Sequence, residues 1–165
     1  MLKPPVDAMA PERALKSARL LAFAVPAALL AGAYLSQYVG GLYPCEMCWW
    51  QRYPHMAAVV LAALAFTGPA ASGRSRALTA LAALAVAASG AIGVFHAGVE
   101  YGWWQGLTHC TGGAATLEEI MKMPLVRCDQ PQWTLAGISL AGFNAIISLG
   151  GALAVFVLLA KGRAR

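Results

Sequence analysis

Four cysteines, Cys45, Cys48, Cys110 and Cys128, are the residues of this chain best suited by type and spacing to do chemistry, and that chemistry is thiol–disulfide exchange. An even count implies two disulfides or one working relay. As simple staples, a four-residue loop closed by Cys45 and Cys48 would contribute about 2 kcal/mol, and the 19-residue loop closed by Cys110 and Cys128 about 3 kcal/mol. Cys45 and Cys48 also sit where an apolar segment begins, already tethered, so a staple there constrains little. Redox use is the better reading of both pairs. Thiolate is the reactive species, and an ordinary cysteine with a pKa of about 8.5 is mostly protonated at neutral pH. Cys48 stands at the start of a helical segment, where the dipole favours an anion. Arg52, four residues on, shares its face. A cation at the edge of hydrocarbon needs an anionic or polar partner, which a thiolate or a reduced quinone oxygen would supply. The plainer use of Arg52 is snorkelling to the headgroups. A zinc site of four cysteines with His109 is disfavoured, because Cys110 and Cys128 do not form a Cys-x-x-Cys.

The elements that hold these residues are membrane helices. Of 165 residues, 59% are hydrophobic and only 12% charged, too few to coat a soluble domain. Uncharged runs cover 20–39 and 135–160, and 77–99 has His96 as its one ionisable group. Residues 48–66 add a fourth span that carries Arg52 and His55 near one end. Each can cross a hydrocarbon layer of about 30 Å at about 1.5 Å per residue. The expected fold is an all-α four-helix transmembrane bundle forming a single membrane domain over 1–165. It has a loosely ordered cytoplasmic tail over 1–19 and outer loops at 40–47 and 100–134. The first span lacks an A-x-A-like site and exceeds an ordinary signal-peptide core, and Pro44 before Cys45 is wrong for a lipobox, so it reads as a retained helix.

Charge distribution orients the bundle. Lys3, Arg13, Lys16, Arg19, Arg74, Arg76, Lys161, Arg163 and Arg165 fall on one side, against Arg52, Lys122 and Arg127 on the other. The richer side is cytoplasmic, so both termini are expected inside and all four cysteines outside, on the oxidising face. The net charge of +5 is therefore a topology signal, and no nucleic-acid partner is expected. The Trp and Tyr residues all fall in the outer half, as an aromatic belt requires, although some could wall a flat cofactor. Gly90, Gly93 and Ala97, with Gly137, Ala141 and Ala145, suit close helix packing. Asn144 reads as an interhelical hydrogen-bonding residue. His55, His96 and His109 read as packed or interfacial groups, with a local His96–Glu100 pair at four-residue spacing. In the second outer loop, Thr116 to Glu119 fits a capping box, and Leu117, Ile120 and Met121 form a stripe, so a short interfacial helix is expected.

Leu42-Tyr-Pro-Cys-Glu-Met-Cys-Trp-Trp-Gln-Arg52 resembles the signature of the DsbB family of disulfide-bond formation proteins. His96-Ala-Gly-Val-Glu100, Cys128-Asp129 and Gly137-Ile-Ser-Leu-Ala-Gly-Phe-Asn144 are similar to it as well, and the resemblance covers roughly residues 18 to 160. It implies a quinone-dependent thiol:disulfide oxidoreductase of the bacterial inner membrane. Disulfides Cys45–Cys48 and Cys110–Cys128 are implied, with no metal. A periplasmic thiol oxidase of the DsbA type would attack the second disulfide at Cys110. Cys128 would then exchange onto Cys45, and Cys48 would pass electrons to ubiquinone or menaquinone, with Arg52 polarising a quinone oxygen. A vitamin K epoxide reductase-like enzyme has the same parts, but its quinone-facing Cys-x-x-Cys lies late in the chain. A non-catalytic four-span scaffold with stapled loops is the remaining alternative.

The expected loop helix has a testable role, that of keeping Cys128 within reach of Cys45. Disulfide bonding needs Cα atoms about 4.4–6.8 Å apart, which a free loop of about thirty residues reaches only transiently. Changing Leu117, Ile120 and Met121 together to Ser should slow transfer between the cysteine pairs while sparing attack at Cys110. Rapid-quench trapping checks this, and normal inter-pair transfer would remove the tether.

Overall fold

The computed structural model describes residues 6–107 and 126–163. Cys110, His109 and the expected helix from Thr116 lie outside the described residues. Four helices make up most of the rest: α1 (Val6–Tyr38), α2 (Glu46–Ala65), α3 (Gly73–Glu100) and α4 (Leu140–Lys161). α3 packs most extensively, against α2 and α4, while α1 closes the other side against α2 and α4. α1, α3 and α4 are long and apolar enough to cross a membrane.

The packing is that of a bundle made for lipid. Its interior is built from small side chains: Ala18, Ala22, Ala58, Ala62, Ala82, Ala83 and Ala152 are buried together with Val86 and Val155. Large apolar residues such as Leu35, Leu84, Ile146 and Leu153 point outward. With no hydrophobic drive between helices in lipid, close backbone approach and interhelical hydrogen bonds hold such a bundle. The small-residue stripe reads out directly, since a Cβ on Gly93 would lie 3.0 Å from the Ala141 carbonyl and the Ala145 nitrogen of α4.

The helix ends are capped by residues from their neighbours. Arg19 of α1 donates to the carbonyls of Ala65 (3.1 Å) and Gly68 (2.8 Å), and Ser75 of α3 donates to Ala65 (2.9 Å). These bonds satisfy acceptors that the C-terminus of α2 leaves open. Ser72 caps α3 by accepting from the Ser75 amide, and Ser139 caps α4 by accepting from the Gly142 amide.

Two expectations are corrected. The stretch before Leu20, expected as a loosely ordered tail, is helical from Val6, and an exposed Glu12–Lys16 pair (2.6 Å, i,i+4) supports that turn. The fourth helix, expected from Leu135, starts at Leu140. Before it, β1 (Thr134–Leu135) and β2 (Ile138–Ser139) pair as a minimal antiparallel hairpin, Leu135 opposite Ile138. Ala136 (φ 50°) and Gly137 (φ 78°) both take positive φ, the pattern of a two-residue type I′ turn. The Tyr101 hydroxyl donates to the Gly137 carbonyl (3.0 Å) and accepts from the Ser139 amide (3.0 Å), which pins the hairpin to the end of α3.

The contrast between two glycines tests this packing. Gly93→Val should destabilise the bundle by about 1–3 kcal/mol through overpacking. Gly150→Ala, where an added Cβ meets nothing within 4 Å, should gain up to about 1 kcal/mol. Denaturation of the detergent-solubilised protein checks both signs.

Candidate functional site

The backbone at the start of α2 brings two sulfurs together. Cys45 is the N-cap (φ −76°, ψ 175°), and its sulfur accepts from the amide of Cys48 at 3.3 Å, the role usually taken by a Ser or Asp oxygen. The Cys-x-x-Cys spacing therefore places one thiol on the cap and the other on the first turn, with Sγ atoms 2.9 Å apart. At this separation the two sulfurs are not joined by a bond. Cys128 arrives from the second outer loop. It is buried in one cluster with Cys45, Met47 and Val99. Hydrogen bonding to Cys128 and then to Cys48, with burial adding to both, pushes the Cys45 thiol far above its ordinary range. Of the four expected redox cysteines, three thus share one cluster, and Cys110 lies outside the described residues.

The loop that delivers Cys128 is bonded within itself and to the first outer loop. Arg127 and Asp129 form a two-pronged pair (2.9 and 2.6 Å), which holds the Asp129 carboxyl below the usual range. Gln132 donates to the Tyr43 carbonyl at 2.6 Å and so joins the two outer loops.

Below the sulfurs lies a hydrogen-bonded network of side chains that the sequence reading treated as separate residues. Asn144 of α4 donates to the Ser89 carbonyl (3.1 Å) and to Gln51 Oε1 (2.8 Å), which fixes both amide orientations. Gln51 Nε2 then donates to the Met47 carbonyl (3.1 Å) and to His96 Nδ1 (2.8 Å). His96 accepts at Nδ1, so its proton sits on Nε2. That Nε2 lies 3.6 Å from Cys45 Sγ and 3.8 Å from Glu100 Oε1. The expected His96–Glu100 pair is present, and Glu100 Oε2 accepts from the Ser139 hydroxyl. His55 Nε2 donates to Asn144 Oδ1 (2.9 Å), so Nδ1 carries the lone pair, and this buried nitrogen has no hydrogen-bond partner among the described residues.

Arg52 is folded inward and nearly buried. It donates to Gln37 Oε1 (2.6 Å) and the Ala33 carbonyl (3.1 Å) of α1, and its guanidinium lies 5.0 Å from the ring centres of both Tyr34 and Trp49. These partners are neutral. Cys45, Cys48, Arg52, His55, His96 and Asn144 all line one cavity of about 260 Å³, together with apolar side chains of α1 and α4 and, from the outer side, Glu100, Arg127, Gln130 and Gln132. A pocket with a few convergent polar groups on apolar walls is the usual form of a small-molecule site.

The Cys45, Cys48 and His96 ligand atoms lie within 4.8 Å of one another, the makings of a soft-metal site. Two thiolates on one tetrahedral zinc, with Zn–S of about 2.3 Å, would stand about 3.8 Å apart. Here the two sulfurs stand 2.9 Å apart. Sequence reasoning missed the joint role of Gln51, Ser89 and His55. The one signal available was that polar residues in membrane helices are expensive and turn inward.

Comparison with known proteins agrees with this chemistry. The family described as "Disulfide bond formation protein DsbB" matches residues 15–158. The "Disulfide bond formation protein B" of Marinobacter nauticus is 32% identical over 157 residues, covering 86% of this chain and 90% of its relative. No solved structure matches significantly. A thiol cluster at a helix start, inside a bundle of membrane-type helices, is what such a family needs, and the chain belongs to the DsbB family of disulfide bond formation proteins.

Proposed function

We propose that this protein is a quinone-dependent thiol:disulfide oxidoreductase that reoxidises a periplasmic thioredoxin-fold thiol oxidase of the DsbA type. The observation that carries the reading is the placement of Cys45 and Cys48, with sulfurs 2.9 Å apart, on the wall of the cavity that also holds Arg52, while Cys128 meets Cys45 from the loop side.

Membership of the family supports placing it in the bacterial inner membrane with both termini cytoplasmic. In that arrangement α2 is the fourth span. Its 20 residues give about 30 Å of helix, and Gln51, Arg52 and His55 all face inward on hydrogen-bonded partners while Val60 and Leu64 face out.

In the relay, the soluble oxidase attacks a Cys110–Cys128 disulfide and bonds to Cys110, releasing Cys128 as thiolate. Cys128 attacks the Cys45 sulfur of a Cys45–Cys48 disulfide. The Cys128–Cys45 bond forms and Cys48 leaves as thiolate, at the helix end best able to hold an anion. The residues fit a quinone head group. Arg52 offers N–H donors for a carbonyl oxygen, and the unpartnered Nδ1 of His55 is an acceptor on the same wall. A membrane quinone, either ubiquinone or menaquinone, would supply a two-electron, two-proton acceptor there.

Quinone reduction by the purified protein, with a reduced thioredoxin-fold oxidase as donor, tests the reading. Cys48→Ser should abolish turnover in a protein that still inserts and folds, and substantial residual turnover would contradict the relay. Arg52→Met should lower quinone reduction roughly tenfold or more, the cost of a lost charge-assisted contact of about 1.5–3 kcal/mol. Exchange between Cys110 and the soluble donor should be spared. Unchanged kcat and KM for quinone would return Arg52 to a packing role.

A further inference from the structure

We propose that the end of the bundle opposite the cysteines carries a binding site for an anionic phospholipid. The site lies between the start of α3 and the end of α4, with the lipid phosphate held by Arg76 and Arg163. The inference goes beyond the redox reading and depends only on the helices lying in a membrane.

The geometry is that of a groove with a cationic mouth. α3 and α4 pack against one another, and at this end they leave between them a cavity of about 280 Å³. Gly73, Arg76, Ala77 and Ala80 line it at spacings of three and four, so they share one face of α3. Leu159 and Arg163, four apart, face them from α4. Small residues make the space. Gly73 has no side chain, and a Cβ added there would meet nothing within 4 Å. The same stripe of α3 continues from Ala80 to Leu84, which is exposed on the outside of the bundle. The groove therefore runs from two guanidiniums onto an apolar track.

Two arginines at one cavity call for an anion, and the chain does not supply it. α3 and α4 carry no acidic residue except Glu100, roughly 36 Å along the helix from Arg76 at about 1.5 Å per residue. Glu12 of α1 is already paired with Lys16. Neither the Arg76 nor the Arg163 side chain has a hydrogen bond or ion pair among the described residues. Arg19, at the same end, differs: its guanidinium is occupied by the Ala65 and Gly68 carbonyls and the Phe66 ring. A phosphodiester fits the vacant pair, because arginine forks take phosphate oxygens two at a time. Basic pockets between membrane helices hold anionic headgroups in this way. Free phosphate would meet the arginines but leave the apolar track uncovered. An acyl chain laid along Ala77, Ala80 and Leu159 covers it, and that decides for the lipid.

Native mass spectrometry of the full-length protein in detergent tests the site, with dioleoyl phosphatidylglycerol and dioleoyl phosphatidylcholine offered in equal amounts. The expected result is retention of phosphatidylglycerol well above that of phosphatidylcholine. Arg76→Gln together with Arg163→Gln should weaken that binding by about tenfold or more, as lost charge-assisted contacts do. Arg74→Gln together with Lys161→Gln removes the same charge from side chains outside the cavity, and should cost far less. Ala77→Leu keeps both arginines but fills the groove, and should also weaken the lipid. Helical circular dichroism of each variant confirms folding. Equal retention of the two lipids, equal losses from the two charge pairs, or undiminished binding in Ala77→Leu would each overturn the site. Displacement of the lipid by millimolar inorganic phosphate would overturn it as well. None of these outcomes bears on quinone reduction, so the redox reading stands or falls separately.

Discussion

The site depends on the buried amide of Gln51. One residue of α2 bonds its own helix at Met47, α3 at His96 and α4 at Asn144, and its backbone carbonyl accepts from Ser89 at 2.8 Å. Single interhelical hydrogen bonds in membranes are worth only about 0.6 kcal/mol on average. The cost of leaving such groups unpaired in an apolar interior is larger, about 1–3 kcal/mol each. A helix that slid or rotated out of register would break several at once. The network therefore acts less as glue than as a register device, and the register it fixes places the cap sulfurs of α2 level with the end of α3.

From that register the division of labour follows. In the proposed relay a lipid-borne acceptor and a water-borne protein could not meet one cysteine pair equally well, so the chemistry would be split between a pair on a helix cap and a cysteine on a loop. The helix pair opens onto the apolar cavity with Arg52 and His55. The loop cysteine approaches from the outer side, beside an exposed Arg127–Asp129 pair. Cys45 is where the two halves touch, packed between Cys48, Cys128 and His96. Its position as the cap of α2 makes it part of the fold as well as of the proposed chemistry.

Much of this was legible in the residues themselves. The Cys45–Cys48 spacing at a helix start, Arg52 one turn on, the small-residue stripe from Gly90 to Ala97 and Asn144 as an interhelical donor all act through local periodicity, which sequence displays. The hairpin at Thr134 was hidden because Leu135 and Ile138 continue an apolar run, and only the positive φ at Ala136 and Gly137 breaks the helix. Gln51 looked like part of a motif rather than a hub, because its partners lie 38 to 93 residues away. The approach of Cys128 to Cys45 was implied by family resemblance alone. No spacing rule brings a loop cysteine to a helix cap 83 residues earlier.

The order in which the thiols of the fully reduced protein disappear tests the direction of electron flow most directly. Purified protein with all four cysteines reduced would be mixed anaerobically with a soluble quinone analogue, quenched with acid, and each cysteine's alkylation followed by mass spectrometry. The expected result is loss of two thiols per quinone consumed, with Cys45 and Cys48 oxidised first and Cys110 and Cys128 following by exchange. Thiols unchanged by quinone, or Cys110 and Cys128 oxidised at an undiminished rate when Cys48 is replaced by Ser, would contradict a path that runs from the loop pair through the helix pair to the membrane.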